Sequence, residues 1–145
     1  MLVVEPARKE DLDRVSRLAA RTLSEQYEPE WLAAHMGERS PFWVARDVRT
    51  NEVVGFALAD REGLEGHLLA IGVDRANRQR GIGSALVKTV KSDLARAGAY
   101  RLVLEVRADD QATQAFYTRH GFAPEGLTEG VYRDGGDALT MVRPL

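Results

Sequence analysis

The run Arg78-Gln79-Arg80-Gly81-Ile82-Gly83-Ser84 has the residue types of an anion-binding turn. It follows an apolar segment, His67 to Val73, and a short polar stretch, and it opens a helical stripe made of Ile82, Leu86, Val90, Leu94 and Ala97. The first turn of a helix carries N–H groups without intrahelical partners and the positive end of the helix dipole. Gly81 and Gly83 remove Cβ atoms that would keep a phosphate from those N–H groups, while Arg78 and Arg80 add charge-assisted bonds. The arrangement is that of a pyrophosphate cradle. It is not a Walker loop, which needs G-x-x-x-x-G-K-[ST]. Nor is it a dinucleotide fingerprint, because Leu86 stands where the third glycine should be.

Three further side chains could do chemistry. Glu105 interrupts the strand-like run Arg101 to Arg107, and strict alternation puts it on the face of Val103, opposite Leu102, Leu104 and Val106. A carboxylate in a central strand demands a partner, so it is either ion-paired to a neighbouring arginine or a general base. His67 begins the neighbouring strand, where it is either a hydrogen-bonded strand end or a second candidate base. Tyr117 follows the core residue Phe116 and can pack as an amphipathic aromatic. His35 and His120 read as structural or exposed. With no cysteine, thiolate catalysis, disulfides and Cys-based zinc sites are excluded, and the three histidines stand at no metal-ligand spacing.

The elements that must hold these residues follow from hydrophobic periodicity. Leu2–Glu5 reads as a strand closed by Pro6. Leu12, Val15, Leu18, Ala19, Thr22 and Leu23 form a helical stripe over residues 9–24. Pro29 opens a second helix and Gly37 ends it. Residues 41–46 and 53–60 are strands joined by a turn, and 67–73 is a third strand, in which Gly72 is expected to mark a bulge. The helix from Ile82 stops at Gly98. Residues 101–107 are a strand, Gln111 to His120 a helix with Ala112, Ala115 and Phe116 on one face, and 122–127 and 137–142 the last strands. The order β-α-α-β-β-β-α-β-α-β-β predicts an α/β domain over residues 1–145, with a mixed sheet and helices on both faces.

Composition is that of an ordinary globular chain: 145 residues, 44% hydrophobic, 29% charged and a formal net charge of −2. That balance points away from nucleic acid as a partner. No apolar run approaches the roughly 20 residues of a membrane span, and the N-terminus turns charged too soon for a signal peptide, so a cytoplasmic location is expected.

Two segments together resemble the GNAT acetyltransferase superfamily. Arg78-Gln79-Arg80-Gly81-Ile82-Gly83 satisfies its [RQ]-x-x-G-x-[GA] signature after a central strand, and residues 104–122, ending in Tyr117 and Gly121-Phe122, are similar to its strand, helix and Tyr-x-x-x-Gly-Phe run. The resemblance covers essentially the whole chain. It implies a sheet splayed between two parallel strands, 67–73 and 101–107, with acetyl-CoA as co-substrate and no metal. Backbone groups near Ile71 and Val73 would bond the pantetheine arm as an added strand, and Arg78 to Ser84, including Gln79, Ile82 and Ser84, would hold the pyrophosphate. The resemblance makes Tyr117 the acid for the leaving thiolate. Asp110 stands where the family has Asn, and Thr113 where it has Ala, and a carboxylate cannot donate as an amide does.

Within the superfamily the chain most resembles the protein N-terminal acetyltransferases, on Thr22-Leu23-Ser24-Glu25-Gln26-Tyr27, Gly66-His67, Leu104–Arg107 and Val131–Asp134. The resemblance implies a peptide acceptor flanked by the loop after the first helix and by the last hairpin, with Glu25, Tyr27 and Tyr132 as acceptor-side residues. Glu105 and His67 would both face the amine, with water between them. An α-amine suits a mild base: with a pKa near 7.7–8.0, about a quarter is neutral near pH 7.4, against roughly 0.1% of a lysine side chain. Acetylation of a small amine or a lysine is the second reading, and a non-catalytic acyl-CoA-binding module the third. A monomer and a homodimer are both compatible with the sequence.

Overall fold

A computed structural model describes residues 1–23, 26–37 and 40–145. The element order is the one periodicity predicts. Strand β1 (Leu2–Pro6) leads through a short 3-10 turn into helix α1 (Leu12–Leu23) and helix α2 (Pro29–Ala34). Strands β2 (Phe42–Asp47), β3 (Glu52–Glu62) and β4 (Glu65–Val73) follow, then helix α3 (Ile82–Arg96), strand β5 (Arg101–Arg107), helix α4 (Gln111–Arg119), and strands β6 (Ala123–Thr128) and β7 (Ala138–Pro144). The seven strands form one sheet in the order β1-β2-β3-β4-β5-β7-β6. All neighbours are antiparallel except β4 and β5. Sequence reading left residues 61–66 unassigned, and they complete a tight β3–β4 hairpin through the left-handed Gly63 (φ 60°).

Each helix covers the sheet with the stripe its spacing provides. On one face Leu12, Val15, Leu18 and Ala19 of α1 and Leu32 of α2 pack on Val44, Phe56, Leu58 and Ala70. On the other, Ile82, Leu86, Val87, Val90 and Leu94 of α3 pack on Ala57, Ala59, Leu102 and Leu104. In α4 the observed inner face differs from the expected one. Ala112 and Ala115 are exposed, and Tyr117 is the buried residue. The stripe runs instead through Thr113, Phe116, Tyr117 and His120, because α4 turns those positions toward α3 and β5.

The sheet is split in the middle. β4 and β5 pair at only three positions, Glu65 with Arg101, Gly66 with Leu102 and His67 with Val103. Beyond them β4 pairs only with β3, and β5 only with β7. The bulge that accompanies the split is at Leu69, which falls between the Ala59–Leu68 and Leu58–Ala70 pairs. One inserted residue reverses the side-chain alternation. Leu68 lies in the α3-side core, yet so do Ile71 and Val73, while Ala70 faces α1. Gly72, expected to mark the bulge, pairs in register with Phe56. Its missing Cβ has another cause: such an atom would lie 2.8 Å from both the Phe56 ring and the Thr22 hydroxyl.

Candidate active site

The split opens into a cleft of 1120 Å³, spacious for a small-molecule site. Leu68 to Val73 form one wall and Leu104 to Arg107 the other. Asn77 to Gln79 and Gly81 to Ser84 close one end, Asp110, Phe116, Tyr117 and Arg119 line the α4 side, and Thr22, Leu23, Tyr27 and Tyr132 complete the lining.

The turn before α3 has the conformation an anion cradle needs. Gln79 (φ 65°) and Gly81 (φ 75°) are both left-handed, and the first intrahelical bond runs from Ala85 N to Gly81 O at 3.0 Å. The N–H groups of Ile82, Gly83 and Ser84 therefore precede the helical ladder and point out of its open end. A Cβ on Gly81 would meet nothing within 4 Å. A Cβ on Gly83 would lie 3.2 Å from the Phe116 ring, so this glycine, which also lines the cleft, lets α3 and α4 pack closely. We expect Gly83→Val to destabilise the chain by about 1–3 kcal/mol, through overpacking against Phe116, in urea unfolding. An unchanged midpoint would show that α4 yields freely.

Arg78 lines the cleft, its Nε 3.4 Å from the Val73 carbonyl oxygen. Arg80 does not line it, and its Nη1 donates to Asn77 Oδ1 at 2.7 Å. Ser84 Oγ is 3.0 Å from His120 Nε2. Burial above all, then Lys91, Lys88 and Arg119, pushes the His120 imidazole below its usual pKa, which favours the neutral ring beside Ser84.

Asp110 and Thr113, the two departures from the family pattern, explain each other. Asp110 caps α4, accepting from Thr113 N at 3.1 Å and from Thr113 Oγ1 at 2.6 Å. Its carboxylate is thus occupied within the helix cap while still lining the cleft.

Tyr117 is 6% exposed and wedged edge-on between Phe116 and Phe122, with centroids 5.2 and 5.5 Å away. No hydrogen bond joins its hydroxyl to another described residue. Burial first, and then the charge of Asp110, push the phenol well above its usual pKa. It is a protonated donor at any working pH, on the cleft wall.

Glu105 faces away from Leu102, Leu104 and Val106, as alternation requires. The expected need for a partner fails: it is exposed rather than buried, because the α1–α2 face of the sheet is uncovered over β5. No hydrogen bond or ion pair joins it to another described residue, and it lines the cleft. His67 is not placed with it: it sits beside Val103 where the strands are still paired, and it does not line the cleft. Its Nδ1 is 3.4 Å from Asp60 Oδ1 and its Nε2 3.3 Å from Glu65 Oε2, while Glu65 also holds Arg101.

Of the expected acceptor-side residues, Tyr27 and Tyr132 both line the cleft, and Glu25 lies outside the described residues. Tyr27 stacks on Trp31 at 4.9 Å, and Trp31 contacts His35 at 4.1 Å. Sequence reasoning missed Trp31, although its i, i+4 spacing from Tyr27 was available. It also missed Arg107, two residues beyond Glu105 and so on the same face.

A split mixed sheet with a glycine-rich strand-to-helix turn at one end of the gap defines the acetyltransferase class of fold. The chain belongs to the acetyltransferase (GNAT) family, whose model matches residues 10–122, and it is an acetyltransferase. It is 30% identical to an N-alpha-acetyltransferase of Saccharolobus solfataricus over 156 aligned positions, covering 96% of this chain and 90% of the relative. Among solved structures it is similar to Ard1 from Thermoplasma volcanium, with a TM-score of 0.90, 27% identity and coverage of 99% and 97% of the two chains. It is also similar to the ribosomal-protein-S18-alanine N-acetyltransferase from Escherichia coli, with a TM-score of 0.88, 26% identity and coverage of 99% and 94%. No helix among the described residues is long and apolar enough to cross a membrane.

Proposed function

We propose that the chain, acting as one catalytic domain, transfers the acetyl group of acetyl-CoA to the α-amine at the N-terminus of a protein or peptide. The observation that carries this reading is the gap between Leu68–Val73 and Leu104–Arg107, which leaves two facing strand edges unpaired at the centre of a sheet. Such edges satisfy their N–H and C=O groups by taking up an extended ligand arm, and the turn at Gly81–Ser84 stands where the diphosphate of that ligand would be held. The residues present therefore fit acetyl-CoA, which supplies the activated acyl group as a thioester. Arg78 and the N–H groups of Ile82, Gly83 and Ser84 hold its anionic end. Glu105 takes the proton from the acceptor amine, directly or through water, and Tyr117 gives its hydroxyl proton to the leaving sulfur. His67 has no place in this scheme. The relatives named for N-terminal substrates support an α-amine acceptor, and Tyr27 and Tyr132 line the same cleft as Glu105.

The test is acetyl-CoA turnover against short peptides differing in their first two residues, with an N-terminally blocked lysine peptide and polyamines as controls. Mass spectrometry should locate the acetyl group on the peptide N-terminus. Label chiefly on lysine side chains or polyamines would replace the acceptor, and no calorimetric binding of CoA would remove the reading altogether.

A further inference from the structure

Arg107 is more heavily engaged than its place at the end of β5 requires. Its guanidinium carbon lies 4.5 Å from the centroid of the Tyr132 ring. Its Nη2 donates to Asp134 Oδ2 at 2.5 Å, and its Nε is 3.5 Å from Asp109 Oδ1. Gly136 is shaped to this contact, since a Cβ there would meet Arg107 Nη2 at 2.5 Å. Asp134 in turn accepts from Gly136 N at 2.9 Å, while Tyr132 N donates to Gly136 O and Gly135 N to Tyr132 O. Residues 129–137, the connection between β6 and β7, thus close on themselves around one cation planted on the same face of β5 as Glu105. A planar guanidinium can stack on a ring and pair with a carboxylate at once, which an ammonium cannot.

We propose that Arg107 is a positioning residue for acceptor recognition: it fixes the 129–137 connection so that Tyr132 forms a rigid wall of the acceptor half of the cleft. The inference rests on the proposed transfer to an acceptor beside Glu105. Arg107 touches neither reacting group; it acts through Tyr132. A wall held in advance lowers the ordering cost of binding a flexible chain end and leaves the cofactor end of the cleft untouched.

Two measurements test it. In hydrogen exchange on the free protein, Arg107→Ala should speed exchange at Tyr132, Gly135 and Gly136, with β5 itself unchanged. In kinetics with the preferred acceptor, Arg107→Ala should raise the acceptor KM about tenfold, leaving CoA affinity and kcat nearly unchanged, as expected when a substrate wall is displaced but the chemistry is not. Arg107→Lys should restore little of this. The double variant Arg107→Ala, Tyr132→Ala should match Tyr132→Ala alone, because the arginine works through that ring. Additive effects, an unmoved KM, or unchanged exchange in 129–137 would each overturn the proposal. The exchange measurement needs no acceptor, so its failure is distinct from failure of the proposed reaction.

Discussion

Replacing Tyr117 by Phe should lower turnover by about 10²–10⁴-fold, the usual contribution of a positioned proton donor. The substitution leaves the packing intact. The ring sits between Phe116 and Phe122 and is retained, and the hydroxyl has no hydrogen bond to another described residue that would be lost. Stability in urea and calorimetric CoA affinity should both stay near those of the wild type. The phenol is buried and raised well above its ordinary pKa, so it should act as an uncharged acid at every pH where the fold survives. Turnover that persists in Tyr117→Phe under conditions where chemistry limits the rate would return the residue to a packing role.

Glu105→Gln should lower turnover by roughly 10²-fold, since the amide keeps the volume and removes the proton acceptor. Exposure of the carboxylate makes the folding consequences small, because no partner is left unpaired. The acceptor's own ionisation also shapes the pH profile, with an α-amine near pKa 7.7–8.0. Two acceptors of different amine pKa separate the contributions: a limb that moves with the acceptor belongs to the acceptor, and one lost in Glu105→Gln belongs to the enzyme. His67→Ala should leave turnover within a few-fold of wild type, because His67 is held between Asp60 and Glu65 outside the cleft. The opposite pattern, with His67→Ala inactive and Glu105→Gln active, would reassign the base.

Local patterns in the sequence carry what a few neighbouring residues decide. Period-2 alternation puts Glu105 on the face it occupies, and the glycine-arginine run marks the strand-to-helix turn, because both follow from a few neighbouring residues. Burial of Glu105 was misjudged for a non-local reason: whether a strand face is covered depends on how far α1 and α2 reach across the sheet, and they stop short of β5. The bulge was assigned to Gly72 from residue type, whereas Leu69, an unremarkable residue, is the one inserted. The packing role of Gly83 is hidden in the sequence, because its partner, Phe116, lies 33 positions further along the chain and only tertiary structure brings it near. Arg107 escaped attention because its importance lies in a tyrosine and an aspartate of the distant 129–137 connection.

The split between β4 and β5 bears on how the protein persists between turnovers. A strand edge in the middle of a sheet is a template for any extended segment, including one from another copy of the chain. In the proposed reaction the co-substrate occupies that edge, so each molecule of CoA bound works as a reversible strand that withdraws the template from solution. By mass action a hundredfold excess of ligand over its dissociation constant adds about 2.7 kcal/mol to the folded state. The protein's resistance to aggregation would then follow the cell's CoA supply, and chains starved of CoA would be the first to associate edge to edge.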